Sequence, residues 1–537
     1  MKTKKIFIIL GLLLIPFGYL AQEIKIPILL ANSEDFYTKI KIFTSVLETI
    51  QRAYIEEKTT DDLLEDALKG VISNLDPHTV YLPANDFRNW NQNFEGYTGI
   101  GISFEIINDR ITIMSVLRSS PAEEHDIQPG DKILKIDGEY VVGIAKEKAL
   151  AKLNGAAGLP VNLTISSSRW EKSRDFNLIR ERIILESIPN AMMIKPQIGY
   201  IKIDRFTSTT SRELEKSLYQ LEKKGMSYLI LDLRGNSGGY LNSAVEVTDK
   251  FIPGGNLIVS TKGRLSSSFQ EFYSTSEKTH ALYPLIILID HGSASASEIV
   301  AGAIQDLDRG LIVGKTSFGK GLVQSQYRFH DGSALLITTA RYYTPSGRPI
   351  QRQFYDKSKD EYYREAYDDS LMKSDNFPQP KSEFTTLLGR KVYAEGGITP
   401  DIWVENEANI LSEPVRRLFY SEKRPFHVYI EDFLKKYPQI KLKDEDSFID
   451  DFTISEHIFR DFTKFVSYYE PDIAIDKLKN DINKKNITFL LKREMAYMIW
   501  GKNAQFRVNL LRDHQLNEAI KYLPEAYDLL SMANHLN

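Results

Sequence analysis

Three serines alternate with alanine in the run Ser293-Ala294-Ser295-Ala296-Ser297, and Glu298 follows directly. The chain contains no cysteine. A covalent-catalysis enzyme built from it must therefore use Ser, Thr, Lys or a carboxylate as nucleophile. Ser295 and Glu298 have the Ser-x-x-Glu spacing of a helix capping box, which is one complete reason for their presence. The other reason is chemical. A serine where a strand turns into a helix has backbone N–H groups and the positive end of the helix dipole beside it, suited to a developing oxyanion. A serine also needs a base. His291 and His330 are near in sequence, but neither has an Asp partner at a motif spacing. Lys320 lies between Gly319 and Gly321, which allow a tight turn and a closed site. A lysine base must be neutral near pH 7, and moving its pKa from about 10.4 to about 7 costs roughly 4–5 kcal/mol. From spacing alone, cap and nucleophile, solvent lysine and base, all stay open.

The elements that would position these groups can be read from periodicity. Leu285–Ile289 is wholly apolar, as a strand buried on both faces should be. Ile299, Val300, Ala303, Ile304 and Leu307 give the following segment one apolar helical face, and Gly310 is placed to end it. From about 189 to 405 strands alternate with helices, including strands at 198–203 and 228–233 around a helix at 211–224, which predicts an α/β layer fold. From about 96 to 183 short β runs alternate with the turn signals Asn108-Asp109, Pro129-Gly130-Asp131 and Asp137-Gly138. Residues 33–75 and 406 onward carry helical periodicity. Asp76 and His78, on either side of Pro77, read as turn formers. Asp232 and Arg234 read either as substrate contacts or as a buried ion pair.

Length and charge bound the classes further. The chain has 537 residues, room for three to five domains at about 100–200 residues each. Its 68 Lys+Arg against 72 Asp+Glu leave −4, which argues against a nucleic-acid binder. Lys2, Lys4 and Lys5 precede an apolar run from Ile6 to Leu20 and then Ala21, the pattern of a secretory signal. The expectation is an exported, periplasmic or cell-envelope protein, with membrane association if this segment stays uncleaved.

Ser-Ala-Ser-Ala-Ser-Glu at 293–298 followed by Phe318-Gly319-Lys320-Gly321-x-Val323-Gln324 resembles the C-terminal processing peptidases, or tail-specific proteases, of serine peptidase family S41. Further matches are Leu75-Asp76-Pro77-His78, Asp232-Leu233-Arg234-Gly235-Asn236-Ser237-Gly238-Gly239, Tyr343-Thr344-Pro345-Ser346-Gly347-Arg348 and Gly396-Gly397-Ile398-Thr399-Pro400-Asp401. Their order covers about residues 35–405.

The resemblance implies a crotonase-like, ClpP-like α/β core carrying an inserted, mostly-β PDZ domain, with α-helical N- and C-terminal regions. The implied division is 1–21 signal, 22–95 helical segment, 96–183 PDZ domain, 184–405 protease core and 406–537 C-terminal helical domain. It implies a Ser/Lys dyad of Ser295 and Lys320, with Gln324 orienting the lysine. The 25-residue spacing, 320 − 295, selects Ser295 over Ser293 and Ser297. The oxyanion hole maps to the N–H of Ala296 and of Gly238, with Gly239 as the other choice. Gly99, Ile100, Gly101 and Ile102 resemble a PDZ carboxylate-binding loop, with Ile100, Ile102 and Phe104 lining a pocket for apolar terminal side chains. No metal or cofactor is implied. The expected partners are proteins or peptides with free, mostly apolar C-termini, and a second copy of the chain is compatible. The rival is a catalytically silent PDZ-bearing binding protein for peptides or apolar ligands.

Overall fold

The computed structural model describes residues 34–117, 119–167, 169–275, 280–368, 382–405, 411–442 and 444–534. The expected signal segment lies outside them. The chain divides into two units, 1–74 and 75–537. The described part of the first is a pair of helices, Glu34–Ala53 and Thr60–Ile72. Thr59 caps the second by accepting from the Asp62 N–H. Among the described residues, no helix is long and apolar enough to cross a membrane.

The second unit is organised by a six-stranded sheet in the order Asn190–Lys195, Ile198–Lys202, Tyr228–Asp232, Leu285–Ile289, Leu311–Gly314, Ile402–Trp403. All neighbours are parallel except the antiparallel first pair. Because side chains alternate across a strand, each strand feeds two cores. Leu229, Leu231, Leu285, Ile287, Ile289 and Ile312 point to one face, where the helices Thr210–Lys223, Leu241–Asp249 and Ala296–Asp306 cover them. Tyr200, Ile230, Ile286, Leu288, Leu311 and Val313 point to the other face. There the cover is Leu516, Ala519, Leu523, Ala526 and Leu529, at helical spacing in His514–Lys521 and Leu523–Asn534. The far end of the chain is thus the second layer of the core. Residues 411–510 form a separate helical bundle around Leu418, Phe426, Phe448, Phe462 and Leu491.

A second sheet joins Val80–Leu82, Ala334–Tyr343, Leu257–Gly263 and Gln270–Tyr273, with Leu322–Arg328 paired to the long 334–343 strand. It carries residue 324 and holds the 75–82 segment beside it.

The β-rich insert has strands Ile102–Ile107, Arg110–Val116, Lys132–Ile136, Glu139–Tyr140, Pro160–Ser166 and Arg174–Ile179, and a helix Lys146–Leu153. Ile111, Ile113, Ile133, Ile136, Val161 and Leu163 form its own core. Its incoming and outgoing segments, Tyr97–Gly99 and Glu181–Ile183, pair antiparallel as a two-stranded stem. The first strand begins at Ile102 rather than Ile100, because Gly101 takes φ +78°.

Candidate active site and peptide groove

The strand Leu285–Ile289 ends at the carboxyl edge of the parallel sheet, where α/β folds place ligands. The next residues turn sharply. Ser295 has φ +56° and ψ −112°, a conformation that only surrounding structure can hold in a non-glycine residue. That structure is the neighbouring 235–239 loop. Ala294 N–H and Ser297 Oγ both donate to Asn236 O, at 3.0 and 2.8 Å. Ser293 Oγ donates to Leu233 O at 2.8 Å.

These bonds separate the three serines. Ser293 and Ser297 are fully buried, and their hydroxyls are committed to backbone carbonyls. Ser295 is partly exposed, and its hydroxyl makes no cap hydrogen bond. The capping-box pair is present, but its close bond is the reverse one, Ser295 N–H to Glu298 Oε2 at 2.7 Å.

Glu298 does more than cap. Its Oε2 also accepts from Lys320 N–H at 2.9 Å, and its Oε1 accepts from Gly319 N–H at 2.7 Å and Ser317 Oγ at 2.5 Å. One buried carboxylate therefore ties the backbone of Ser295 to the backbone of Lys320. Burial pushes its carboxyl above the usual range, and the four donors pull the other way. Every contact is a donor aimed at oxygen, which suits the ionised form. The sequence offered the Ser-x-x-Glu spacing but no sign of this second role.

Lys320 Nζ donates to Gln324 Oε1 at 2.6 Å, and Gln324 Nε2 donates to His78 O at 2.7 Å. Burial lowers the amine below the usual lysine range, against the opposing pull of Asp76 and Glu298. No hydrogen bond joins the side chains of Ser295 and Lys320 among the described residues; Glu298 links their backbones instead. Gly319 has φ +92°, and an added Cβ would lie 3.0 Å from the Gly396–Gly397 backbone, so glycine is needed there. His291 Nδ1 lies 2.9 Å from Thr316 O, while His330 is exposed in the turn at the far end of the 322–343 hairpin.

The turn at 76–79 is as expected: Asp76 accepts from His78 N–H, Thr79 N–H and Thr79 Oγ1. His78 adds a role that the sequence hid. Its carbonyl holds Gln324, and its Nε2 lies 2.9 Å from the Tyr362 hydroxyl. Tyr362 belongs to the helix Lys359–Ala366 and also accepts from Gln351 Nε2 at 3.2 Å, while Gln351 Oε1 accepts from Gly321 N–H. Burial, then the Lys320 charge, push the His78 ring down to about 3, so it stays neutral near pH 7.

The 238–239 loop lies against the turn. A Cβ on Gly238 would sit 2.8 Å from Ser295 Cβ and 3.1 Å from Ala296 N. Gly238 N–H donates to Asn236 Oδ1 at 2.9 Å. The N–H groups of Ala296 and Gly239 have no acceptor among the described residues. Asp232 and Arg234 form a buried ion pair at 2.6 Å. Arg234 extends it to Asp513 at 2.6 Å, tying this loop to the C-terminal helices.

In the insert, a cavity of about 200 Å³ lies between the strand Ile102–Ile107 and the helix Lys146–Leu153. Ile100, Gly101, Ile102 and Phe104 line one side, Leu150 and Leu153 the other. The N–H groups of Ile100 and Gly101 donate to no acceptor among the described residues. A Cβ on Gly101 would fall 2.2 Å from Ser120 Cβ.

Residues 197–357 match peptidase family S41, and residues 91–166 match the PDZ domain. A carboxy-terminal-processing protease of Bartonella bacilliformis is 35% identical over 325 residues, 60% of this chain and 74% of its own. The carboxy-terminal processing protease CtpA of Bacillus subtilis is 31% identical over 318 residues, 59% of this chain and 67% of its own. The solved photosystem II D1 C-terminal processing protease aligns with 68% of this chain and 92% of its own at 23% identity, with a TM-score of 0.36. The chain belongs to peptidase family S41, as a PDZ-bearing serine protease of the carboxy-terminal processing kind.

Proposed function

We propose that this protease cleaves proteins captured by their C-termini, using Ser295 and Lys320 through an acyl-enzyme. The observation that carries the reading is the contrast among the serines: the Ser293 and Ser297 hydroxyls donate to backbone carbonyls, that of Ser295 donates to no group among the described residues, and Glu298 ties the Ser295 backbone to the backbone of a buried lysine. Neutral Lys320 accepts the Ser295 proton as Oγ attacks the scissile carbonyl. Gln324, anchored on His78 O, holds the amine on line. The Ala296 N–H and an N–H of the 238–239 pair stabilise the oxyanion. Gly239 offers its N–H as it stands, whereas Gly238 must first exchange its bond to Asn236. The protonated lysine then gives its proton to the leaving amine and, neutral again, activates the deacylating water.

In the PDZ groove, the N–H groups of Ile100 and Gly101 take the substrate carboxylate, and Ile102 and Phe104 take an apolar terminal side chain. The reading places the protein in the cell envelope, delivered by its N-terminal segment, with membrane association if that segment is retained and self-association compatible.

The test uses a peptide with a free apolar C-terminus and its amidated twin. The free peptide is cleaved faster, Lys320→Ala abolishes cleavage, and a fluorophosphonate labels Ser295. Cleavage that survives Lys320→Ala but is lost in His291→Ala would refute the dyad. Equal cleavage of both peptides would refute the role of the groove.

A further inference from the structure

The PDZ domain and the helical bundle meet at a seam tied by Lys132 Nζ to Glu431 at 3.0 Å and by the Tyr469 hydroxyl to Asn108 Oδ1 at 3.3 Å. A cavity of about 210 Å³ opens in this seam, below the range of about 300–1,000 Å³ for drug-sized ligands. Its lining is divided. Met114 from the PDZ strand, Leu418, Phe426 and Leu490 make an apolar wall. Arg424, Arg493 and Lys502 bring three cations against one carboxylate, Glu494.

Glu494 is already engaged, by His427 Nδ1 at 2.8 Å. Arg424 stands 3.6 Å from Glu105. Arg493 Nε is buried without a hydrogen-bond partner among the described residues, and its guanidinium stacks 5.4 Å above Phe419. His427 is 4% exposed, and its Nε2 is likewise buried and unpartnered. Lys502 stands exposed at the mouth. Burial depresses the Arg493 charge. Buried polar groups are ordinarily satisfied, and a buried guanidinium nitrogen left unpaired is costly. The unpaired Arg493 nitrogen and the excess of positive charge around this cavity call for an anion.

We propose that this cavity binds a small carboxylate bearing a short apolar tail. The planar carboxylate meets the Arg493 fork, whose geometry it matches. His427, whose Nδ1 is engaged by Glu494, flanks the same cavity. The tail lies on Met114, Leu418 and Phe426. A bare inorganic anion would leave that wall facing water. The site is separate from Ser295 and from the PDZ groove, so it stands or falls independently of the catalytic reading.

The experiment is titration calorimetry of the whole protein with hexanoate, hexylamine and inorganic phosphate. Hexanoate binds, hexylamine does not, and phosphate binds more weakly than hexanoate. Arg493→Gln weakens hexanoate at least tenfold. Lys502→Gln, at the exposed mouth and without risk to the fold, weakens it at least threefold. The proposal is overturned if hexanoate does not bind, if hexylamine binds as well, if phosphate binds and hexanoate does not, or if hexanoate binding survives both substitutions.

Discussion

Glu298→Gln tests whether one carboxylate sets the spacing of nucleophile and base. The side chain keeps its size but offers one oxygen and one NH₂ to four donors. The favoured orientation keeps oxygen on Ser295 N–H and Lys320 N–H, since two backbone donors cannot turn away. The NH₂ then faces Ser317 and Gly319. Ser317 Oγ can rotate to accept, but Gly319 N–H is left buried and unpaired, at about 1–3 kcal/mol. The two retained bonds lose their charge assistance, about 1 kcal/mol each. Relief of burying a charge offsets part of this, leaving a net loss of about 2–4 kcal/mol. A displacement of the two backbones near 1 Å costs on the order of 10²-fold in kcat. Denaturant unfolding with near-UV circular dichroism reads the first quantity, and turnover of a C-terminal peptide reads the second, with KM little changed. A Glu298→Gln enzyme that unfolds and turns over like the parent would refute the reasoning; so would a loss confined to KM.

Burial of Lys320 lowers its pKa, so kcat/KM should rise with pH through a midpoint below an ordinary lysine's 10.5; Lys320→Arg, which cannot deprotonate, should remove that limb and the activity with it. With His78 at about 3 when folded and 6.5 in its ordinary state, only the unfolded chain takes up that proton as pH falls between them, so this group's contribution to stability is lost from about 6.5 down toward 3. Proton NMR should find the His78 ring neutral at pH 5, and an imidazolium there would contradict the burial argument. Tyr362→Phe keeps the ring packing but deletes the hydroxyl beside His78 and Gln351, costing about 1–2 kcal/mol and lowering kcat more than KM is raised; a steady-state effect on KM alone would speak against it. Gly101→Ala forces a Cβ to 2.2 Å from Ser120, and should raise KM for free C-termini while an amidated peptide is unaffected.

The parts of the fold legible in the sequence were those where local chemistry and tertiary demand agree. Leu285–Ile289 reads as a buried strand because both of its faces are covered, and all five residues are apolar for that reason. The helix after it was visible from one apolar face and its capping pair. What covers the second face was not legible, because Leu516, Ala519 and Leu523 carry only a helical period that names no partner. The Asp232–Arg234 pair suggested itself from adjacency, yet its third member, Asp513, is 279 residues from Arg234. Tyr362 sat in an aromatic stretch that looks like ordinary core, and its hydroxyl matters only once the Val80–Leu82 strand, with the turn before it, is laid beside the 334–343 strand. Glu298 was legible as a cap and opaque as a brace, since bonds to residues 317, 319 and 320 depend on how a later loop returns.

The two-faced sheet also imposes an order on synthesis. Tyr200, Ile230, Ile286 and Leu288 emerge hundreds of residues before the helices that cover them. Until 514–534 have been made, one face of the central sheet is bare, and Arg234 lacks the Asp513 carboxylate that steadies the loop beside Ser295. Three leucines and two alanines from those helices contribute on the order of 5–10 kcal/mol of apolar burial, comparable to a whole domain's net stability of about 5–15 kcal/mol. A chain lacking 514–534 therefore exposes that face of the sheet and leaves Arg234 without its bond to Asp513.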